Sequence, residues 1–268
     1  MHSFQYRKAN TLQEAADWLA KDEDAKALSG GMTLLPTLKA RLAQPSQLID
    51  IAGLSELAGI DNKNGVLSIG AATKYYQIAT SPVVREALPA LADLISTVAD
   101  PQVRNRGTIG GSVANNDPAA DSPAAVLALG ATIITNKREI AADDFFRGMF
   151  TTALEPGELV VRIAFPLPKA AAYAKYPHPA SGYAMAGVFI AQTAAAVRVA
   201  VTGAGASGVF RWTEAEAALS KNMSAAALEN LTVSADDINE DIHGSREYRA
   251  QLVKVMAGRA AAAIAGKK

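Results

Sequence analysis

The sequence has no cysteine and only three histidines, His2, His178 and His243. Without thiols there is no disulfide, no thiolate zinc site, no cysteine nucleophile and no iron–sulfur cluster ligated by this chain. The histidines lie far apart in sequence, so no metal ligands are expected. An excess of either charge is also lacking: 26 basic residues balance 26 acidic ones, which leaves no field for holding a nucleic acid or an anionic membrane. No window is apolar over the length needed to span a bilayer, and the segment from Met1 to Lys8 lacks the apolar stretch of a signal peptide. A cytoplasmic protein is therefore expected.

What the chain has in quantity is apolar residue, 50% of 268. That is enough for one or two sizeable cores, and it excludes a disordered or collagen-like chain. Alanine is far above ordinary usage, which favours close-packed helices without a functional message.

Along the chain, Thr11-Leu12-Gln13-Glu14 has capping-box spacing and opens a first helix. A strand is expected over Ala25 to Leu28, a glycine turn at Ser29 to Thr33, a helix from Leu34 to Leu42 and a strand at Leu48 to Ile51. Asn62-Lys63-Asn64-Gly65 marks a hairpin between Leu57 to Asp61 and Val66 to Ala71. Helical patterning runs from Lys74 to Ala99, and Asp100 to Asp121 reads as a long glycine- and asparagine-rich loop without helix or strand. Pro123 starts another helix, and strands are expected at Ala131 to Thr135, Glu139 to Ala142 and Leu159 to Phe165.

Pro166-Leu167-Pro168 and the alanine-rich, proline-punctuated stretch to Pro179 mark a boundary. Beyond it, Tyr183 to Gln192, Val197 to Thr202 and Val209 to Trp212 read as three antiparallel strands. A capping box at Thr213 to Glu216 and a helix from Ser245 to Ala265 complete an α+β module.

Two segments carry potential chemistry. Gly30-Gly31 stands between a strand and a helix, where backbone amides can approach an anion closely and Thr33 adds a hydroxyl; a helix-start turn without a ligand remains the alternative. The segment Arg104 to Asp117, with Gly107, Gly110 and Gly111 among hydroxyls and amides, can lie flat against a diphosphate and sugar. Asp121 can accept from ligand hydroxyls or cap the next helix. Tyr183 can stack on a planar ligand or simply pack.

Gly203-Ala204-Gly205-Ala206-Ser207-Gly208 matches G-x-G-x-x-G but is expected to connect two strands. Directly after it, Val209 to Trp212 reads as another strand, whereas a dinucleotide fold requires a helix to open inside the glycines.

The segments Ala27 to Pro36 and Thr108 to Asp121, together with Leu48 to Ile51, His178 to Met185 and Val201 to Gly205, resemble the FAD-binding medium subunit of molybdenum hydroxylases, aerobic carbon monoxide dehydrogenase above all. The resemblance implies an α+β fold: a two-part FAD-binding region of the p-cresol methylhydroxylase type, followed by a C-terminal α+β domain with a three-stranded antiparallel sheet. The implied domains are 1–168, with subdomains of about 1–52 and 53–168, and 169–268. Carried over by position, Ser29, Gly30, Gly31, Met32, Thr33 and Leu34 form one wall of the flavin diphosphate site. Thr108, Gly110, Gly111, Ser112 and Asn115 form the other. Asp121 holds sugar or ribityl hydroxyls, Val160 lies near the adenine and Tyr183 beside the isoalloxazine. Met32 stands where many relatives carry His or Thr, so only its amide carries over. Neither loop contains a histidine to tether the flavin, which implies noncovalent FAD.

The implied role is electron transfer from an iron–sulfur small subunit through FAD to an external acceptor. The molybdenum cofactor would sit on a large subunit, in a heterohexamer built as a dimer of heterotrimers. On that reading no side chain of this chain is catalytic towards the organic substrate. A self-sufficient flavin oxidase or reductase and a flavin-free binding or assembly protein are the alternatives.

Overall fold

A computed structural model describes residues 1–266. The first unit holds β1 (Gln5–Lys8), α1 (Leu12–Ala20), β2 (Lys26–Leu28), α2 (Leu34–Lys39) and β3 (Gln47–Asp50), with a parallel sheet ordered β1-β3-β2. Thr11 caps α1 by accepting from the Glu14 amide at 3.1 Å, while the Glu14 carboxylate returns to the Asn10 amide. The strand β1 is exposed along its length and mostly polar, so no buried face announces it in the sequence.

The second unit begins with the hairpin β4 (Ile60–Lys63) and β5 (Val66–Gly70), turned by Asn64 and Gly65 at φ +54° and +76°. The helical patterning from Lys74 to Ala99 is divided among three helices, α3 (Tyr75–Thr80), α4 (Pro82–Ala87) and α5 (Pro89–Ser96). Pro82 and Pro89 each lack the N–H that would continue the preceding helix, and each becomes the first residue of the next.

The expectation of a helix-free loop from Asp100 to Asp121 is corrected by α6 (Pro101–Arg104) and α7 (Ile109–Asn115). Thr108 caps α7 by accepting from the Gly111 amide at 3.2 Å, and Asn116 ends it in a left-handed conformation. Helix propensity therefore loses to capping and to packing of Ile109 and Val113 in the core. The unit continues with α8 (Ser122–Ala128), β6 (Thr132–Thr135), β7 (Glu139–Ala141), α9 (Ala142–Phe145), β8 (Phe146–Gly148), β9 (Thr151–Thr152) and β10 (Val160–Pro166). Its five-stranded antiparallel sheet runs β4-β5-β10-β6-β7.

The last unit contains β11 (Ala170–Pro177), β12 (Ala184–Gln192), β13 (Val197–Thr202), β14 (Phe210–Arg211), α10 (Thr213–Lys221) and α11 (Arg246–Ala265). Its antiparallel sheet has four strands, β11-β12-β13-β14, rather than the three expected; the three-stranded sheet of the chain is the parallel one. The extra strand β11 is alanine-rich and flanked by prolines, and takes its conformation from full pairing with β12 rather than from propensity.

The expected cap at Thr213 is absent: α10 starts after Trp212 with no side-chain cap. Glu216 instead accepts from the Val199 amide at 3.0 Å and pairs with Arg211.

Eight of the nine residues of β12 are buried. Phe189 and Ala191 face the core shared with α5 and α8, whereas Val188 and Ile190 face the core shared with Val253, Ala257 and Ala261 of α11. The small residues of α11 let it lie close on the sheet.

Candidate cofactor-binding site

Between the first and second units lies a cleft of about 500 Å³. The structure brings every residue singled out in the sequence to its lining: Ser29 to Leu34, Thr108, Gly110, Gly111, Ser112, Asn115, Asp121, Val160 and Tyr183. The G-x-G-x-x-G segment is the connection between β13 and β14 and does not reach the cleft.

The two glycine segments differ in what their backbones offer. In the first, among the described residues, the amides of Gly30, Gly31, Met32 and Thr33 donate to no chain acceptor, and the Thr33 hydroxyl is likewise free. Gly31 takes φ +71°, so successive N–H groups form a concavity suited to an anion.

Gly30 is required for contact between the segments, because a Cβ there would stand 2.3 Å from the Arg106 carbonyl oxygen. In the second segment the amides are already used. Gly110 donates to Ala71 O at 2.9 Å, Gly111 to Thr108 Oγ1 at 3.2 Å and Ser112 to Thr108 O at 3.2 Å. The glycine at 110 serves packing, since its Cβ would lie 2.4 Å from that of Ala71. This wall therefore presents hydroxyls rather than free backbone amides.

Asp121 does not cap α8 with its side chain. Its carboxylate turns towards β11, accepting from the Tyr173 hydroxyl and from Lys175 Nζ at 3.1 and 3.2 Å. Burial pushes the Asp121 carboxyl up, against the opposing pull of the Lys175 charge and the Tyr173 hydrogen bond. Burial and the neighbouring Asp121 charge push the Tyr173 phenol well above its usual range.

Tyr183 is at the rim, 46% exposed, just before β12. Burial, then the charges of Asp117 and Asp121, raise its phenol. A turn positions it: the His178 amide donates to Tyr183 O at 2.7 Å, and His178 Nδ1 accepts from the Ala180 and Ser181 amides.

Sequence reasoning missed Tyr75, Ala71 and Val98, which also line the cleft. Ala71 and Tyr75 look like ordinary core positions; only the backbone contact at Gly110 marks the alanine, and no sequence signal marks the tyrosine.

Residues 2–168 match the family described as FAD binding domain in molybdopterin dehydrogenase. The chain belongs to this family. Among molybdopterin dehydrogenase relatives, the carbon monoxide dehydrogenase medium chain of Hydrogenophaga pseudoflava is 34% identical, covering 96% of this chain and 95% of its own. The 6-hydroxypseudooxynicotine dehydrogenase complex subunit alpha of Paenarthrobacter nicotinovorans is 34% identical, with 96% and 93% covered. Of solved structures, quinoline 2-oxidoreductase from Pseudomonas putida 86 superposes with a TM-score of 0.89 at 32% identity, covering 99% and 98%. The carbon monoxide dehydrogenase of Hydrogenophaga pseudoflava gives 0.89 at 35%, with the same coverage. The α+β fold and the FAD-binding family are therefore those that the two glycine segments imply.

The residues present fit the cofactor. Free consecutive amides suit a diphosphate, the Asp121 carboxylate suits sugar hydroxyls, and no Cβ intrudes where the segments meet. No helix of the described residues is long and apolar enough to cross a membrane.

Proposed function

We propose that this chain is the electron-transferring flavoprotein subunit of a cytoplasmic molybdenum hydroxylase. The division into 1–168 and 169–268 and the cleft residues named above are part of that reading. The observation that carries it is the run of unpartnered amides from Gly30 to Thr33 facing the hydroxyl-lined wall at Thr108 to Ser112. FAD held there supplies the redox chemistry, and the chain's own residues bind and orient it. Gly30 to Leu34 hold the diphosphate, Asp121 takes sugar-alcohol hydroxyls, Val160 packs by the adenine, and Tyr183 covers the ring at the rim.

With no cysteine, iron–sulfur clusters must be carried by a small partner chain, and the molybdenum cofactor by a large one, in a dimer of heterotrimers. Chains named for carbon monoxide and for 6-hydroxypseudooxynicotine match equally well. This supports a substrate pocket on the large partner rather than on this chain.

Purified chain should bind FAD with a flavin absorption spectrum and release it intact on denaturation. Flavin that stays with the denatured polypeptide would overturn noncovalent binding. The isolated chain should leave candidate substrates unoxidised until the partner subunits are added; substrate-dependent bleaching of the flavin by the lone chain would instead mark a self-sufficient oxidase.

A further inference from the structure

Tyr75, the first residue of α3, has 6% of its surface exposed, and that surface faces the cleft. It is built into the second glycine segment. Its amide donates to Gly107 O at 2.9 Å, and a Cβ on Gly107 would stand 3.1 Å from its ring. The phenol oxygen accepts from Ser122 Oγ at 3.3 Å. The Ser112 hydroxyl also lies beside the phenol, and among the described residues no carbonyl or carboxylate takes the phenol proton, although the group is buried.

A buried phenol whose polar neighbours are hydroxyls, each able to supply its own proton, keeps donor capacity that a ligand in the cleft can take up. The surroundings define that ligand's chemistry. Ser122 follows Asp121 directly, and the Asp121 charge is felt at Tyr75. Burial pushes the Tyr75 phenol up to about 12, so the proton is retained at every physiological pH. Asp121 has taken Tyr173 and Lys175 but retains lone pairs on Oδ2. A neutral donor beside an acceptor-only carboxylate matches a hydroxyl, which both accepts and donates. A phosphate oxygen only accepts, and the carboxylate would repel it.

The geometry points to Tyr75 as a positioning residue that, with Asp121, clamps one ribityl hydroxyl of the flavin: Tyr75 Oη donates to it, and it donates to Asp121. This rests on the FAD reading above. The clamp fixes the ribityl chain, and so the ring, relative to the wall at Thr108 to Ser112.

The test compares FAD with ADP, which shares the diphosphate and adenine but has no ribityl chain. Affinities of apoprotein are measured by titration for FAD and by competition against FAD for ADP, in wild type and Tyr75→Phe. The variant should lose about tenfold in FAD affinity, in line with one lost hydrogen bond, and should hold ADP as wild type does. Unchanged ADP affinity also demonstrates that the variant is folded. Equal loss for both ligands would put the tyrosine on the diphosphate half and overturn the clamp. Unchanged FAD affinity would overturn it too. Wild type that binds no FAD would overturn the underlying reading and the clamp with it.

Discussion

Ser29 Oγ and Thr108 Oγ1 lie 3.1 Å apart, joining segments separated by 79 residues. The same Thr108 oxygen accepts from the Gly111 amide. One hydroxyl thus both starts α7 and ties the two walls of the cleft together, so the spacing of the walls depends on a side chain at each glycine segment.

Thr108→Val keeps the shape and removes the oxygen. Loss of an N-cap costs about 1 kcal/mol, and the Ser29 hydroxyl loses its partner. Urea unfolding of apoprotein should show that deficit, with weaker FAD binding, and Thr108→Ser should restore both. A Thr108→Val protein as stable as wild type would mean that water replaces the cap.

The glycines separate by function. Gly30→Ala sets a methyl against the Arg106 carbonyl, a backbone atom that cannot step aside, so the walls must part; about 2 kcal/mol or more of stability should be lost, with FAD affinity. Gly111→Ala meets only the Thr108 hydroxyl, at 2.9 Å, and has no positive φ. Its helical position favours alanine by up to about 1 kcal/mol, so its apoprotein should melt near or above wild type. If Gly111→Ala is the less stable of the two, the close approach at Gly30 does not control the spacing of the walls.

The sequence displays residues whose role is local. Gly30-Gly31 between strand and helix, and the run Thr108 to Asp121, are legible because turns and close approaches leave glycine and capping residues behind. Partnership across the fold is not legible. Asp121 carries an N-cap's sequence position, yet its carboxylate is drawn to Tyr173 and Lys175 on a strand, β11, that alanine and proline conceal. Glu216 has capping-box spacing, but Arg211 and the Val199 amide claim it. Tyr75 reads as a core residue of an amphipathic helix, and only the folded chain shows that it lines the cleft.

Arg198 Nη2 contacts Asp143 at 2.8 and 3.0 Å, and Arg211 Nη1 joins at 3.4 Å, bridging α9 to β13 and β14. Burial pushes the Asp143 carboxyl up, but the two guanidinium groups outweigh it and the net shift is downward. A carboxyl lowered on folding stabilises above its unfolded value, about 3.9, and loses that contribution as pH falls through the lowered one. Asp143 is 45% exposed, so the pair is worth about 0.5 kcal/mol. Asp143→Asn should be less stable than wild type by that order at pH 7, with a deficit that shrinks as pH falls below about 3.9 and the native carboxyl takes up its proton. A deficit that persists in acid would show that hydrogen bonding, not charge, makes the contact.

Lys175 and Asp121 form a buried pair, with side chains 6% and 4% exposed. Lys175 Nζ also donates to Thr97 O at 2.9 Å and Gly182 O at 3.1 Å, so it links α5, the cleft carboxylate and the turn before Tyr183. Lys175→Met leaves an ionised carboxylate buried with only the Tyr173 hydroxyl to answer it, a loss of about 3–5 kcal/mol. The desolvation that already raises Asp121 then acts unopposed. A carboxyl raised on folding favours the native state below its unfolded value, and that advantage disappears as pH rises through the folded one. The deficit of Lys175→Met against wild type should therefore be largest at pH 7 and shrink on acidification. Adding Asp121→Asn removes the charge, so the double variant should regain most of the stability at pH 7 and lose the pH dependence. Thermal melts of the three proteins at pH 7 and pH 5 decide it. If Lys175→Met is as stable as wild type at pH 7, solvent reaches Asp121 and the lysine is not its counter-charge.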